Sequence, residues 1–455
     1  MRRIWTCLVG LWVASAAAIA AAEPLRIGTF SLDGTPPVGS PLCDGLVRPV
    51  ATVADPLLIQ GVVLVGAGKP IALIAFDWVG IGNGGYDAFR EAVARRIGTD
   101  PERVAIHSLH QHDAPGCDFD AEAILAQHGL SGAAFNVVHA RETIERVAAA
   151  AEQALRQAEP VTHIGLGKGK IEQVAAARRV LGPDGRIKYT RTSTTRNPDA
   201  RAEPEGVIDP YVQLLSFCDG DKPRAVLSYY AIHPMSNYGK GEVSSDFIGL
   251  ARAARIKASG VFQAHFNGAG GNVTAGKYND GSPENRRLFA ERIERGMAAA
   301  WDATQKTPVT SADVAWNLAA VALPVSPLYL DQAATEKAID DPMLTVAQRV
   351  QQARHLAFAK RTTSGQKIAL QCLRVGPAYV LHMPGELFVE YQLAAQQMRP
   401  DAPVMMAAYG DYGSGYIGLK RSYPEGGYET GPVSRVAPEV EDVLMPAMRR
   451  LLDLK

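Results

Sequence analysis

Gly61-Val-Val-Leu-Val-Gly-Ala-Gly-Lys-Pro-Ile-Ala-Leu-Ile-Ala-Phe76 reads as two buried strands, 61–65 and 70–76, around a Gly-Ala-Gly-Lys turn. Tyr86, Phe89, Val93 and Ile97 follow at helical spacing and Gly98 stops the helix. An apolar strand then runs toward His110. Hairpin, helix and strand in succession predict an α/β fold, a mixed β-sheet core flanked by helices.

The same alternation continues along the chain. Helices are expected over 142–157, 247–258, 286–301, 345–360, 387–398 and 436–452, the last kinked at Pro446. Strands are expected over 211–217, 225–232, 261–266, 367–375 and 378–383. No internal repeat or low-complexity linker breaks the pattern, so residues 23–455 are expected to form one domain.

Arg2 and Arg3, an apolar core over 4–19 and three alanines at 20–22 predict a secretory signal peptide cut after Ala22, with export to a periplasm or beyond. No other stretch is apolar and long enough to span a bilayer, so no stable membrane anchor is expected, at most transient contact with a membrane surface. Without the leader the chain carries 45 basic and 47 acidic residues, a balance that points to no nucleic-acid partner. Cys7 leaves with the leader. Of the remaining Cys43, Cys117, Cys218 and Cys372, the first two sit in Pro/Gly-rich loops and are the first choice for a disulfide in an oxidising compartment. Cys218 and Cys372 are expected as buried thiols.

The chemistry-bearing stretch is Ile106-His-Ser-Leu-His-Gln-His-Asp-Ala-Pro115. Ten histidines serve 455 residues, and His107, His110 and His112 fall within six positions. A strand continuing to His112 would send His110 and His112 to one face. Three further stretches run from an apolar strand into a reactive side chain flanked by Gly, Pro or Ser. They are Ser228-Tyr-Tyr-Ala-Ile-His233-Pro-Met-Ser236, Tyr379-Val-Leu-His-Met-Pro-Gly-Glu386 and Ala408-Tyr-Gly-Asp-Tyr-Gly-Ser-Gly-Tyr416, with Glu386 expected at a helix start. Each has a plain alternative: His233 as a core histidine, Glu386 as a first-turn acid, Tyr416 as packing. Two histidines and a glutamate together match the His₂Glu set of catalytic zinc, which favours a hydrolase.

These segments resemble the neutral/alkaline, non-lysosomal ceramidases, zinc amidases with a His-x-His-Ser-Gly-Pro-like segment, here His110-Gln-His112-Asp-Ala-Pro115. The resemblance implies His110, His233, Glu386 and Tyr416 as zinc ligands, the last three in His233-Pro-Met-Ser236, Pro384-Gly-Glu386 and Gly415-Tyr416-Ile417. It implies His112 beside the scissile amide, Tyr428 as a second active-site tyrosine twelve positions after Tyr416, and Arg178 of Ala177-Arg178-Arg179 as a lining arginine. Thr274, in Gly270-Gly-Asn-Val-Thr-Ala-Gly276, stands where the family has a serine once discussed as a nucleophile. Either a catalytic hydroxyl or a glycine-rich turn fits that loop.

By its length this chain is expected to lack the family's immunoglobulin-like C-terminal domain, and the resemblance covers residues 25–430. The expected function is a secreted Zn²⁺ amidohydrolase cleaving a lipid-like N-acyl amide, ceramide first. In it, zinc-activated water attacks the carbonyl, Tyr428 and Arg178 stabilise the oxyanion, and His112 carries a proton to the leaving amine. The alternatives are an esterase or amidase on another acyl compound, and an inactive homologue that binds metal or ligand.

Overall fold

The computed structural model describes residues 24–454, so the expected leader, its expected cleavage point and Cys7 lie outside the described residues. The strands fall into three main sheets that follow one another along the chain. The first holds β1 (Arg26–Asp33), β2 (Leu58–Gly66), β3 (Gly68–Phe76), β4 (Val104–Ser108) and β5 (Glu159–Pro160). The second holds β6 (His163–Lys170), β7 (Tyr211–Asp219), β8 (Lys222–Tyr230), β9 (Gln263–Asn267) and β10 (Gln305–Pro308). The third holds β11 (Val314–Val321), β12 (Ile368–Val375), β13 (Ala378–His382) and β14 (Val404–Ala407).

All three share one topology. The spatial orders are β4-β3-β2-β1-β5, β9-β8-β7-β6-β10 and β14-β13-β12-β11. In each sheet the first three strands form an antiparallel meander, and the fourth lies parallel to the third. The crossover that parallel pairing requires is a helix each time: α1 (Asn83–Ile97), α3 (Asp246–Ser259) and α6 (Val389–Met398). A second helix follows the fourth strand: α2 (Val137–Arg156), α4 (Pro283–Asp302) and α7 (Val440–Leu451). The chain therefore does contain a repeat. It lies in strand connectivity and burial pattern, which many different side chains satisfy, so no sequence periodicity announces it.

The apolar runs explain the layering. In β3, Ile71, Leu73 and Ala75 face a core shared by all three sheets, with Leu227 and Tyr229 of β8 and Val380 of β13. Ala72, Ile74 and Phe76 face outward onto Phe89, Val93, Val147 and Ala151 of α1 and α2. Val226 and Tyr230 of β8 pack likewise on α3 and α4, and Tyr379 and Leu381 of β13 on α6 and α7. Strands covered on both faces lose polar alternation and read as continuous apolar runs. Close approach of the second helices needs bare strand positions: a Cβ on Gly28 would fall 1.9 Å from Ala154 O, and one on Gly167 2.0 Å from Ala300 O.

The C-terminal ends of the parallel pairs meet. Ser108 N donates to Tyr409 O (3.0 Å) and Ala408 N to Asn267 O (2.9 Å), while buried Asn267 sends its side-chain amide to Leu109 O and Ile232 O (3.0 and 2.7 Å). One residue thus ties all three sheets where their strands end. A second tie is Asp77, just past β3, which accepts both guanidinium nitrogens of Arg252 on α3 (2.7 and 2.6 Å). Both side chains are buried. Arg252→Met leaves an unpaired buried carboxylate and is expected to destabilise the protein by about 3–5 kcal/mol, measurable as a shift in the urea unfolding midpoint.

Several expectations need correction. Cys43, Cys117, Cys218 and Cys372 are all buried free thiols, so Cys43 and Cys117 are not paired. Each is committed to its own packing: Cys43 sits in a left-handed turn with its N–H on Ala114 O, and Cys117 packs its sulfur over Gly85. The helix expected from 142 begins at Val137, where Asn136 caps it by accepting from His139 N. The C-terminal helix begins at Val440 and runs through Pro446, while Val436 bridges to Val325. Glu386 does not open a helix. It lies on the two-residue strand Glu386–Leu387, parallel to Tyr416–Ile417.

Candidate active site

The strand before His110 stops at Ser108, so the two histidines do not alternate on a strand. His110 instead takes a left-handed conformation (φ 64°), sparsely populated for a residue with a Cβ. Its N–H is held by Trp78 O and its Nδ1 by Val79 O at 2.6 Å, both just past β3. The turn still brings His112 alongside, with ring centroids 4.9 Å apart. Tyr409, two residues beyond β14 as His110 is two beyond β4, also has positive φ and stacks on His110 (4.8 Å, 20°).

His233 follows β8 by three residues and puts Nδ1 3.1 Å from Gly270 O. His110 and His233 therefore each spend a ring N–H on a backbone carbonyl, leaving Nε2 as a bare acceptor. Both Nε2 atoms approach Glu386 Oε2, at 3.1 and 3.5 Å, and Tyr416 Oη lies 3.4 Å from His233 Nε2. Glu386 Oε2 is buried and has no hydrogen-bond partner. Three lone-pair atoms facing one another repel unless a cation sits among them. Their separations match the edge of about 3.3 Å expected for a tetrahedron with ~2.0–2.1 Å bonds to zinc. The donor set fits a divalent metal.

His110, His112 and His233 also form a group whose ring nitrogens lie within 4.8 Å of one another. The two triads share His110 and His233. Glu386 is nearer than that wider limit requires, and its charge is the one a dication needs.

Burial works to raise the Glu386 carboxyl, but His110 and the hydroxyls of Tyr416 and Tyr412 outweigh it and hold it below its usual value. Burial, then His110 and Arg178, push His112 and His233 well below the usual imidazole value, so both rings are neutral. Neutral imidazole is the form that ligates metal or accepts a proton.

Arg178 is buried and donates to Tyr416 Oη at 2.9 Å. Its other side lies 3.2 Å from Glu429, which also pairs with Arg179 (3.1 Å). Burial opposes the charge on Arg178, yet Tyr416 and Glu429 more than restore it. Tyr428 lies edge-on to Tyr416 (5.7 Å) and is 52% exposed at the mouth of the cleft. Its phenol is pushed up to about 12, chiefly by burial and then by Glu386, so it stays a donor at neutral pH.

Of the expected site residues, His110, His112, Glu386, Tyr416 and Tyr428 line the cleft, His233 and Arg178 reach it through contacts with Tyr416, and Thr274 does neither. It is fully buried, its hydroxyl donates to Thr192 O (3.2 Å) and accepts from Gly276 N (3.1 Å), and it braces the short pair Val273–Thr274 with Ala176–Ala177. Three partners went unread in the sequence: Tyr412, which donates to Glu386 Oε1 (3.0 Å), Tyr409, and Glu429. The tyrosines lie inside the quoted 408–416 stretch, whose aromatic density was a usable signal. Glu429 gave none.

The cleft has a volume of about 240 Å³. It is lined by His110, His112, Glu386 and Tyr416, by Leu46, Tyr428, Pro432 and Val433, and by side chains of α5 (Val346–Thr363).

The chain superimposes on the neutral ceramidase from Pseudomonas aeruginosa with a TM-score of 0.69 at 18% sequence identity, over 95% of this chain and 74% of that one. The fold is that of the neutral ceramidases. A structure of a ceramidase complexed with C2 matches to the same degree, with TM-score 0.69 and 18% identity over 94% and 74% of the two chains. No protein-family model and no curated sequence matches the chain. The neutral-ceramidase fold therefore reaches this chain with few residues kept, and what this chain does has to be argued from its own site.

Proposed function

We propose that this protein is a zinc-dependent amidohydrolase that cleaves an N-acyl amide bearing a lipid-like chain, with ceramide the first substrate to test. Residues 23–455 form its catalytic domain, and His110, His233, Glu386 and Tyr416 are the metal ligands. The observation that carries this reading is the convergence of two bare imidazole nitrogens on the unpartnered Oε2 of Glu386. The neutral-ceramidase fold supports the amide as the bond cleaved.

Bound there, zinc would supply Lewis acidity for the carbonyl and a water of pKa about 7. The chain's own residues do the rest. His112 has a buried Nδ1 without a partner, in the same cleft, and moves a proton from the attacking water to the leaving nitrogen. Tyr428 and Arg178 donate hydrogen bonds to the carbonyl oxygen as it gains charge. The route needs no Thr274 nucleophile. A cleft of 240 Å³ equals the space of about eight waters at ~30 Å³ each, so the amide enters while a long chain stays along the apolar mouth at Leu46 and Tyr428.

Fatty-acid release from short- and long-chain ceramides, N-acyl amino acids and simple esters by zinc-loaded protein tests the reading, and cleavage of amides is expected. Release from esters alone would favour an esterase, and release from none an inactive homologue. Export belongs to the same proposal: the secreted chain should have the mass of a protein beginning at Glu23. Among the described residues, no helix is long and apolar enough to cross a membrane.

A further inference from the structure

The side chains that α5 contributes to the cleft are polar. On α5, Gln348, Gln351, Gln352 and His355 recur at i, i+3, i+4 and i+7, which puts all four on one helical face, and all four line the cleft. Behind them lies Arg435, 3% exposed. Its guanidinium donates to His355 Nδ1 (3.0 Å), to Gln351 Oε1 (3.5 Å) and to Gly413 O (3.2 Å), and among the described residues it has no carboxylate within ion-pair distance. The neighbouring Arg354 is already committed to Asp44 at 2.5 Å.

Arginine can only donate, and this decides how the two residues in front of it are oriented. His355 Nδ1 has to be the accepting nitrogen, and the ring, stacked on Tyr329 at 4.1 Å, is neutral because burial, Arg435 and Arg354 all disfavour a second proton. Its proton is therefore on Nε2. Gln351 Oε1 likewise faces Arg435, so its NH₂ group points away, and Gln351 Nε2 is a buried donor with no partner. One buried cation thus sets which nitrogen carries hydrogen in His355 and Gln351, two residues that line the cleft, while among the described residues no carboxylate pairs with it. Burial and Arg354 pull its pKa down to about 10. An unpaired buried charge and an unsatisfied buried donor are both costly, and both are relieved by the same thing, an anionic acceptor.

We propose that Arg435, His355 and Gln351 form a carboxylate subsite, so that the preferred substrates are N-acyl amino acids rather than ceramides, whose head group is an uncharged diol. His355 and Gln351 share one 240 Å³ cleft with His110, Glu386 and Tyr416, and an N-acyl amino acid carries its carboxylate a few atoms from the scissile nitrogen. This rests on the amidase reading for the word substrate, but not for the binding.

N-lauroylglycine and N-lauroylglycinamide separate the two, since they share chain, amide and size and differ in the charge of one group. Zinc-loaded protein should show a KM about tenfold or more lower for the glycine compound, the scale of a charged hydrogen bond, and calorimetric binding to metal-stripped protein should show the same ratio. Arg435→Gln should erase the preference through KM. Because a buried arginine can be needed for folding, Gln351→Glu is the companion variant: it gives Arg435 an internal carboxylate and should also erase the preference. Equal binding of the two compounds, or a preference that survives Gln351→Glu, overturns the subsite. Hydrolysis without preference, with short-chain ceramide cleaved as well, overturns the subsite and leaves the amidase reading standing. Preferential binding with no hydrolysis of any compound supports the subsite and overturns the amidase reading.

Discussion

Replacing His110 and His233 together by alanine is expected to yield a folded protein with no bound zinc, against one zinc per chain in the parent, and with hydrolysis reduced to the uncatalysed rate. The two imidazoles supply half of the proposed donor set, and Glu386 and Tyr416 alone are too few donors to hold zinc tightly. The drop in rate should be at least about 10⁶-fold, the low end of what enzymes supply over the uncatalysed reaction. Elemental analysis beside a circular-dichroism melt is the direct check. Zinc held undiminished in the double variant would remove the basis of the site.

His112→Ala should separate catalysis from metal binding. The ring faces the same cleft as His110 and its Nδ1 has no partner, so a loss of about 10²- to 10⁴-fold in kcat with zinc retained is expected, the usual contribution of a positioned proton carrier. Tyr428→Phe should cost about 10²- to 10³-fold by the loss of one oxyanion donor. The phenyl ring keeps the edge contact with Tyr416, so packing is preserved and only the hydrogen bond is lost. Normal turnover in both variants would make these residues structural. Loss of zinc on His112→Ala would instead make His112 a ligand, in keeping with the His110, His112, His233 group.

The repeated topology gives the site its logic. Functional side chains gather beyond the carboxyl ends of parallel strand pairs in open α/β sheets. Here three such pairs, one from each repeat, point their ends at one place and are tied there by Asn267. His110 comes from the first repeat, His233 from the second, and Glu386 and Tyr416 from the third. No repeat carries a complete site, so the site exists only when the three sheets share their core.

Strand and helix types were legible in the sequence wherever burial sets the pattern. The hairpin of β2 and β3, helix α1 stopped by Gly98 in the left-handed conformation, and the β12–β13 pair all lie where the apolar runs put them. Hydrophobic periodicity is a local property and survives without any knowledge of neighbours. The motif residues His110, His233, Glu386 and Tyr416 were also visible one by one, because each follows an apolar strand and stands beside Gly, Pro or Ser. Distance in space was not legible. Only the tertiary structure decided that the strand ends short of His110, that Cys43 and Cys117 stay apart, that Thr274 is bound to backbone away from the cleft, and that Glu429 holds Arg178. The orientation of His355 and Gln351 by Arg435, 80 and 84 residues away, belongs to the same class. Hydrogen bonds and ion pairs between distant segments depend on ångström distances that the packing of three sheets sets, and residue order along one chain does not encode them locally.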